Sequence, residues 1–183
     1  MTFHIETERL ILRELRPTDL QGMFELDSDP EVHKYLGNKP VKTIDESQKM
    51  IENIINQYKE RGIGRFAVIE KASGNFAGWS GIKFNTGDKE TLGEKRDFHD
   101  IGYRFIPKYW GKGYASETSF ATLHFGFTKL NLETIVGVAE TENIASNKVL
   151  QKIGLQFKEV FPHEDVKLNW YELKNKNYGK EMS

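Results

Sequence analysis

The run Tyr109-Trp110-Gly111-Lys112-Gly113-Tyr114-Ala115 sets two glycines and a lysine where a short extended segment gives way to a helix-length stretch from about Tyr114. The first turn of a helix carries backbone N–H groups without intrahelical acceptors and a partial positive charge. A phosphate placed there satisfies both. Glycine at 111 and 113 permits a sharp turn and lets a ligand approach the backbone closely, and Lys108 and Lys112 add positive charge. The turn alone does not name the ligand. The dinucleotide fingerprint needs a third glycine where Ser116 stands, and the P-loop pattern needs its first glycine where Ile106 stands. A plain glycine-rich turn before a core helix has the same composition.

The elements around this turn follow from apolar periodicity and punctuation. Residues 9–14 form a short apolar run between charges and predict a strand. Pro17-Thr18-Asp19 opens a helix whose apolar residues are Leu20, Met23, Phe24 and Leu26, and Asp29-Pro30 breaks it. Thr43 or Asp45 caps a longer helix with Met50, Ile51, Ile54, Ile55 and Tyr58 as its stripe, ended by Gly62 and Gly64. Residues 65–70 and 76–84 predict a hairpin around Ser73-Gly74-Asn75. The polar stretch 85–97 reads as a mobile surface loop. Residues 100–106 are a strand, 114–130 a helix, 134–138 a strand, 144–153 a helix, and 157–161 and 168–173 closing strands. The order β-α-α-β-β-β-α-β-α-β-β is a mixed α/β arrangement on one sheet, read as a single domain over residues 1–183.

Composition narrows the function classes. Of 183 residues, 38% are hydrophobic and 29% charged, with a net charge of −1. Nothing global draws such a chain to nucleic acid or an anionic membrane. There are no cysteines, so disulfides, thiolate metal sites and an acyl-cysteine intermediate are excluded. No stretch approaches the roughly 18 apolar residues of a membrane span, and the first 13 residues lack a signal-peptide core. The expected compartment is the cytoplasm. His33, His124 and His163 have no metal-ligand spacing. Trp79 and Trp170 are expected in the core.

The stretch Ile101-Gly102-Tyr103-Arg104-Phe105 through Trp110-Gly111-Lys112-Gly113-Tyr114-Ala115-Ser116-Glu117 resembles motif A of the GNAT acetyltransferases. Trp110 stands where that motif has Gln or Arg. This Trp-Gly-x-Gly run is similar to the RimJ/RimL type of ribosomal-protein N-terminal acetyltransferase. Asn143-Ile144-Ala145-Ser146-Asn147 with Lys152-Ile153-Gly154-Leu155, and Thr7-Glu8-Arg9-Leu10-Ile11-Leu12-Arg13, resemble two further family segments in the right order. The resemblance implies a GNAT-type domain with a mostly antiparallel sheet splayed between the fourth and fifth strands. It also implies acetyl-CoA as co-substrate and no metal.

On that resemblance the cofactor residues are Tyr103, Arg104, Phe105, Trp110, Gly111, Lys112, Gly113, Tyr114, Ala115, Asn143 and Asn147. The 101–105 strand presents backbone groups to the pantetheine arm. Asn143 offers it both donor and acceptor, and asparagine equally suits an N-cap. Asp100 is the base candidate, against the reading of a solvated carboxylate at a strand start. His99 points to the opposite face of a regular strand. Many members place a tyrosine where this chain has Leu150, so Ser146 is the alternative partner for the departing thiolate, or simply a residue making local backbone bonds. The acceptor is a primary amine, on a protein N-terminus or a small molecule such as an antibiotic, with Tyr35 near its site. A non-catalytic acyl-CoA-binding module would keep the glycines and Asn143 without a base. No nucleic-acid or membrane partner is expected, and the chain is a monomer or homodimer.

Overall fold

The computed structural model describes residues 3–179. Two compact units divide them. The first takes in the residues up to Gly81 together with Tyr103–Ala121, and the second takes in Ile82–Gly102 and those from Thr122 onward. The strands β1 (His4–Glu6), β2 (Leu10–Glu14), β3 (Arg65–Glu70), β4 (Phe76–Asn85), β5 (Phe98–Phe105), β6 (Thr134–Glu140), β7 (Gln156–His163) and β8 (Val166–Lys174) lie in the order β1-β2-β3-β4-β5-β6-β8-β7.

In the first unit, β1 (His4–Glu6), β2 (Leu10–Glu14), β3 (Arg65–Glu70) and the start of β4 (Phe76–Asn85) pair antiparallel. Leu10 and Leu12 alternate inward and are fully buried, as the period of a half-buried strand requires. β1 adds a strand to the seven expected. Its three residues carry too little pattern to read, and it exists through its pairing with β2, as at Ile5↔Leu12. After β2 the chain is closed by Asp19, which accepts from Nη1 and Nη2 of Arg13, both at 2.8 Å, and from the Arg16 N–H at 2.8 Å.

Helix α1 (Leu20–Ser28) buries Met23 and Leu26. Helix α2 (Ile44–Arg61) starts at Thr43, whose N–H donates to Glu46 at 2.9 Å, and ends at Gly62 with φ 69°. Of the two expected caps, Thr43 is the one used. Ile51 and Ile54 face inward. The Tyr58 hydroxyl accepts the Leu15 N–H at 3.1 Å and donates to the Arg65 carbonyl. Gly78 brings β4 against β5 (Phe98–Phe105), since a Cβ there would sit 2.1 Å from the Arg104 carbonyl oxygen.

In the second unit, β6 (Thr134–Glu140) runs parallel to β5 and antiparallel to β8 (Val166–Lys174), which pairs antiparallel with β7 (Gln156–His163). The expected opening between the fourth and fifth predicted strands concerns β5 and β6. Their ladder holds two pairs only, Asp100↔Val136 and Ile101↔Gly137, although the strands have eight and seven residues. Helix α3 (Tyr114–Thr128) stops two residues short of its expected end, and α4 (Ile144–Lys152) follows β6.

The segment 86–97 is more anchored than its polarity suggests. Leu92 packs against Phe98, Val136 and Trp170. The Lys95 ammonium pairs with Glu159 and stands 5.1 Å from the Trp170 ring centre. Lys83 holds Glu90 at 2.7 Å, and the Thr86 hydroxyl donates to Asp97 at 2.7 Å. Among the described residues, no helix is long and apolar enough to cross a membrane, and no three His, Asp or Glu side chains are grouped to hold a metal ion.

Candidate functional site

The glycine turn lies in the first unit. Pro107–Tyr109 forms one 3-10 turn, and the Trp110 indole N–H donates to the Phe105 carbonyl at 2.7 Å. That bond ties the turn to the end of β5 while leaving the indole 49% exposed. Gly111 and Gly113 have φ of 73° and 81°, left-handed values that cost little only for glycine. A Cβ at Gly111 would meet open space. The first bond into α3 runs from the Glu117 N–H to the Gly113 carbonyl at 3.1 Å. The N–H groups of Tyr114, Ala115 and Ser116 precede it and have no intrahelical acceptor. Tyr109 and Tyr114 are buried beneath the turn, with ring centres 6.3 Å apart.

Charged neighbours converge here from distant segments. Glu70 accepts the Tyr114 hydroxyl at 2.7 Å, the Ser73 hydroxyl at 2.8 Å and the Lys112 ammonium at 3.2 Å. These donors hold its carboxyl down to about 2. Glu117 accepts the Thr7 hydroxyl at 2.6 Å, the Arg9 N–H at 3.0 Å and the Arg9 Nε at 2.7 Å. Burial pulls its pKa upward, and those donors outweigh burial to leave it lowered. Arg9 Nη1 donates to the Lys112 carbonyl at 2.8 Å. Lys108 pairs with Glu25 at 2.8 Å.

On β5, Tyr103 is half-buried and Phe105 buried. The Arg104 side chain donates to the fully buried Asp27 and lies 5.1 Å from the Trp79 ring centre, with Arg65 5.3 Å from the same ring. Trp79 is therefore flanked by two guanidinium groups and half-buried, while Trp170 is a core residue as expected. His33 Nε2 is 3.8 Å from Asp27, and burial, followed by the Arg104 charge, lowers its pKa. The Arg104 side chain is thus engaged within the fold. Tyr35 is half-buried, with the Lys34 ammonium 5.4 Å from its ring centre.

The remaining candidates lie in the second unit. Asp100 accepts the Asn85 amide at 2.6 Å. The His99 ring is 4.6 Å from that of Phe84, and burial lowers its pKa. Asn143 caps α4 by accepting the Ser146 N–H at 3.2 Å. Asn147 is 8% exposed. It donates to the Glu140 and Asn143 carbonyls, both at 2.8 Å, and accepts from Asn169 and the Tyr171 hydroxyl, both at 2.7 Å. Two donors and two acceptor positions are thereby filled, so this side chain holds the 140–143 turn in place. Leu150 is 4% exposed, and a Cβ on Gly137 would come within 2.5 Å of its Cδ2. The position that departs from the family's tyrosine is a packed core residue.

Sequence reasoning gave no role to Glu70, Glu117 or Asn85, and quoted Glu117 only as the last residue of the glycine-turn motif. It quoted Arg9 only as part of an opening strand. Ser73 apart, the partners that place them at the site lie far along the chain, Lys112 at 42 residues from Glu70, Arg9 at 108 from Glu117 and Asp100 at 15 from Asn85.

Residues 9–156 match the family model described as an acetyltransferase (GNAT) domain. The uncharacterized N-acetyltransferase YoaA of Bacillus subtilis (strain 168) is 32% identical over 152 residues, covering 83% of this chain and 82% of its own length. The uncharacterized N-acetyltransferase p20 of Bacillus licheniformis is 36% identical over 150 residues, covering 82% and 80%. Among solved structures, a GNAT-family acetyltransferase from Bacillus anthracis is similar with a TM-score of 0.76 at 29% identity, over 95% of this chain and 99% of that one.

Proposed function

The chain belongs to the GNAT acetyltransferase family, and from that premise we propose that it passes the acetyl group of acetyl-CoA directly to a primary amine, on a protein N-terminus or a small molecule. The observation that carries the cofactor half is the Gly111–Gly113 turn at the start of the 15-residue α3. Its left-handed glycines, the open space beside Gly111 and first-turn N–H groups that have no intrahelical acceptor fit a pyrophosphate. Backbone N–H groups around 111–116 bind it, Lys112 adds charge, and Trp110 lies alongside. The backbone of Tyr103, Arg104 and Phe105 suits the pantetheine arm; in the second unit Asn143 offers an amide of the kind that pantetheine amides pair with, and Asn147 keeps the Asn143 turn in place.

A thioester is already activated, so direct attack asks for no metal or covalent enzyme intermediate. The amine nitrogen adds to the acetyl carbonyl carbon, the C–S bond breaks, and the thiolate leaves with a proton or a hydrogen bond. A lysine-like amine with a pKa near ~10.4 costs roughly 4–5 kcal/mol to hold neutral at pH 7, whereas an α-amine near ~7.7–8 costs about 1 kcal/mol. Asp100 takes the amine proton, directly or through water, with Asn85 orienting its carboxylate. Ser146 donates a hydrogen bond to the departing sulfur, since Leu150 has no hydroxyl.

The test is thiol release from acetyl-CoA with a panel of peptides bearing free N-termini and of small amines. Turnover with one class names the acceptor. Tight CoA binding without acetylation of any amine favours an acyl-CoA-binding module, and failure to bind CoA by calorimetry overturns the reading.

A further inference from the structure

We propose that Arg9 is a positioning residue of the phosphate turn, fixing the Lys112–Gly113 peptide and neutralising a carboxylate that would otherwise oppose the ligand. This rests on the phosphate site proposed above. Glu117 lies in the first turn of α3, where a carboxylate competes with a phosphate for the same positive helix end. Arg9 answers that charge with Nε and Nη2, at 2.7 and 2.6 Å from Glu117 Oε2. Its third donor, Nη1, reaches the Lys112 carbonyl at 2.8 Å. That bond keeps the carbonyl dipole turned to the guanidinium and leaves the neighbouring N–H groups to face a ligand.

The guanidinium sits 4.7 Å from the Tyr114 ring centre, and Nη2 lies 3.5 Å from where a Cβ on Gly113 would be. Arg9 therefore supports the turn from β2's end of the chain. Glu70 and Lys112 form a parallel arrangement, a carboxylate beside the turn matched by a cation at 3.2 Å. The cradle thus carries two acidic residues whose charge is cancelled locally. Without Arg9 the Glu117 charge is uncompensated, and a unit charge placed roughly 10 Å from a phosphate at an effective dielectric of roughly 20 weakens binding on the order of tenfold.

The test is calorimetric titration of CoA into wild type, Arg9→Gln, Glu117→Gln and the double variant, each with a thermal melt. Arg9→Gln is expected to raise Kd on the order of tenfold, leaving kcat at saturating acetyl-CoA unchanged. Glu117→Gln is expected to bind at least as tightly as wild type, and adding it to Arg9→Gln to recover most of the loss. A merely structural role predicts no such recovery. Arg9→Lys keeps the charge but loses the fork, so its Kd is expected between those of wild type and Arg9→Gln. Wild-type affinity in Arg9→Gln, or a folded double variant no better than the single one, overturns the proposal. If wild type itself fails to bind CoA, the phosphate site falls with it.

Discussion

Asn143 Oδ1 accepts the backbone N–H of Ser146 at 3.2 Å, so one turn of α4 carries both the residue proposed for the pantetheine amides and the one proposed for the sulfur. The oxygen of Asn143 is committed to the cap, and its Nδ2 is the group left for a ligand carbonyl. Asn143→Asp keeps an oxygen at the cap and removes that donor. The expected result is an unchanged melting temperature, since Asp caps as well as Asn, with a KM for acetyl-CoA raised severalfold. Steady-state kinetics beside a melt decide it, and an unchanged KM would remove Asn143 from the cofactor site.

Gly113 has φ 81°, and a β-branched side chain there adds strain of roughly 1–3 kcal/mol while covering the backbone a phosphate would approach. Gly113→Val is expected to weaken CoA binding at least tenfold in a calorimetric titration. Affinity equal to wild type would count against the cradle.

Asp100 and Ser146 should separate by pH and by acceptor. General-base assistance contributes on the order of 10²–10⁴ in rate, so Asp100→Asn is expected to cut kcat most for lysine-like amines and least for α-amines. Its rate should recover as pH rises and the amine deprotonates unaided. Ser146→Ala is expected to lower kcat modestly at every pH with KM unchanged. A flat rate deficit for Asp100→Asn across pH would assign the carboxylate a structural role.

Glu70 is held at about 2, below its ordinary 4.5, by Tyr114, Ser73 and Lys112. A depressed carboxyl stabilises the fold while ionised, so this contribution is fully present above 4.5 and is lost as pH falls towards 2. The melting temperature of wild type is expected to exceed that of Glu70→Gln at pH 7, with the gap closing below pH 4.5. A gap that stays constant down to pH 2 would show that ionisation of this carboxylate, held by Tyr114, Ser73 and Lys112, does not set it.

Helix ends were legible from local residues, with Thr43 and Asp45 both open as the cap of α2 until the structure chose Thr43. Thr43 with Glu46 opens α2 and Gly62 closes it because caps act within one helical turn. Asn143 caps α4 for the same reason. Elements defined by partners were harder. β1 is three residues long and depends on β2. Leu92 is one apolar residue in a polar stretch and finds Phe98 and Trp170 only after folding.

The sequence by itself determined the order of the elements after β1, the glycine turn and, through segments spread over residues 7–155, the family. Those depend on periodicity, on backbone conformations open to glycine, and on residue spacing. The tertiary structure decided which charges stand beside that turn. Arg9 reaches the Lys112 carbonyl across 103 residues, and Arg104 reaches Asp27 across 77. It also decided that Asn147 is saturated by Glu140, Asn143, Asn169 and Tyr171 and that Leu150 closes over Gly137. Hydrogen bonds and packing depend on proximity in space, and only the folded chain sets that.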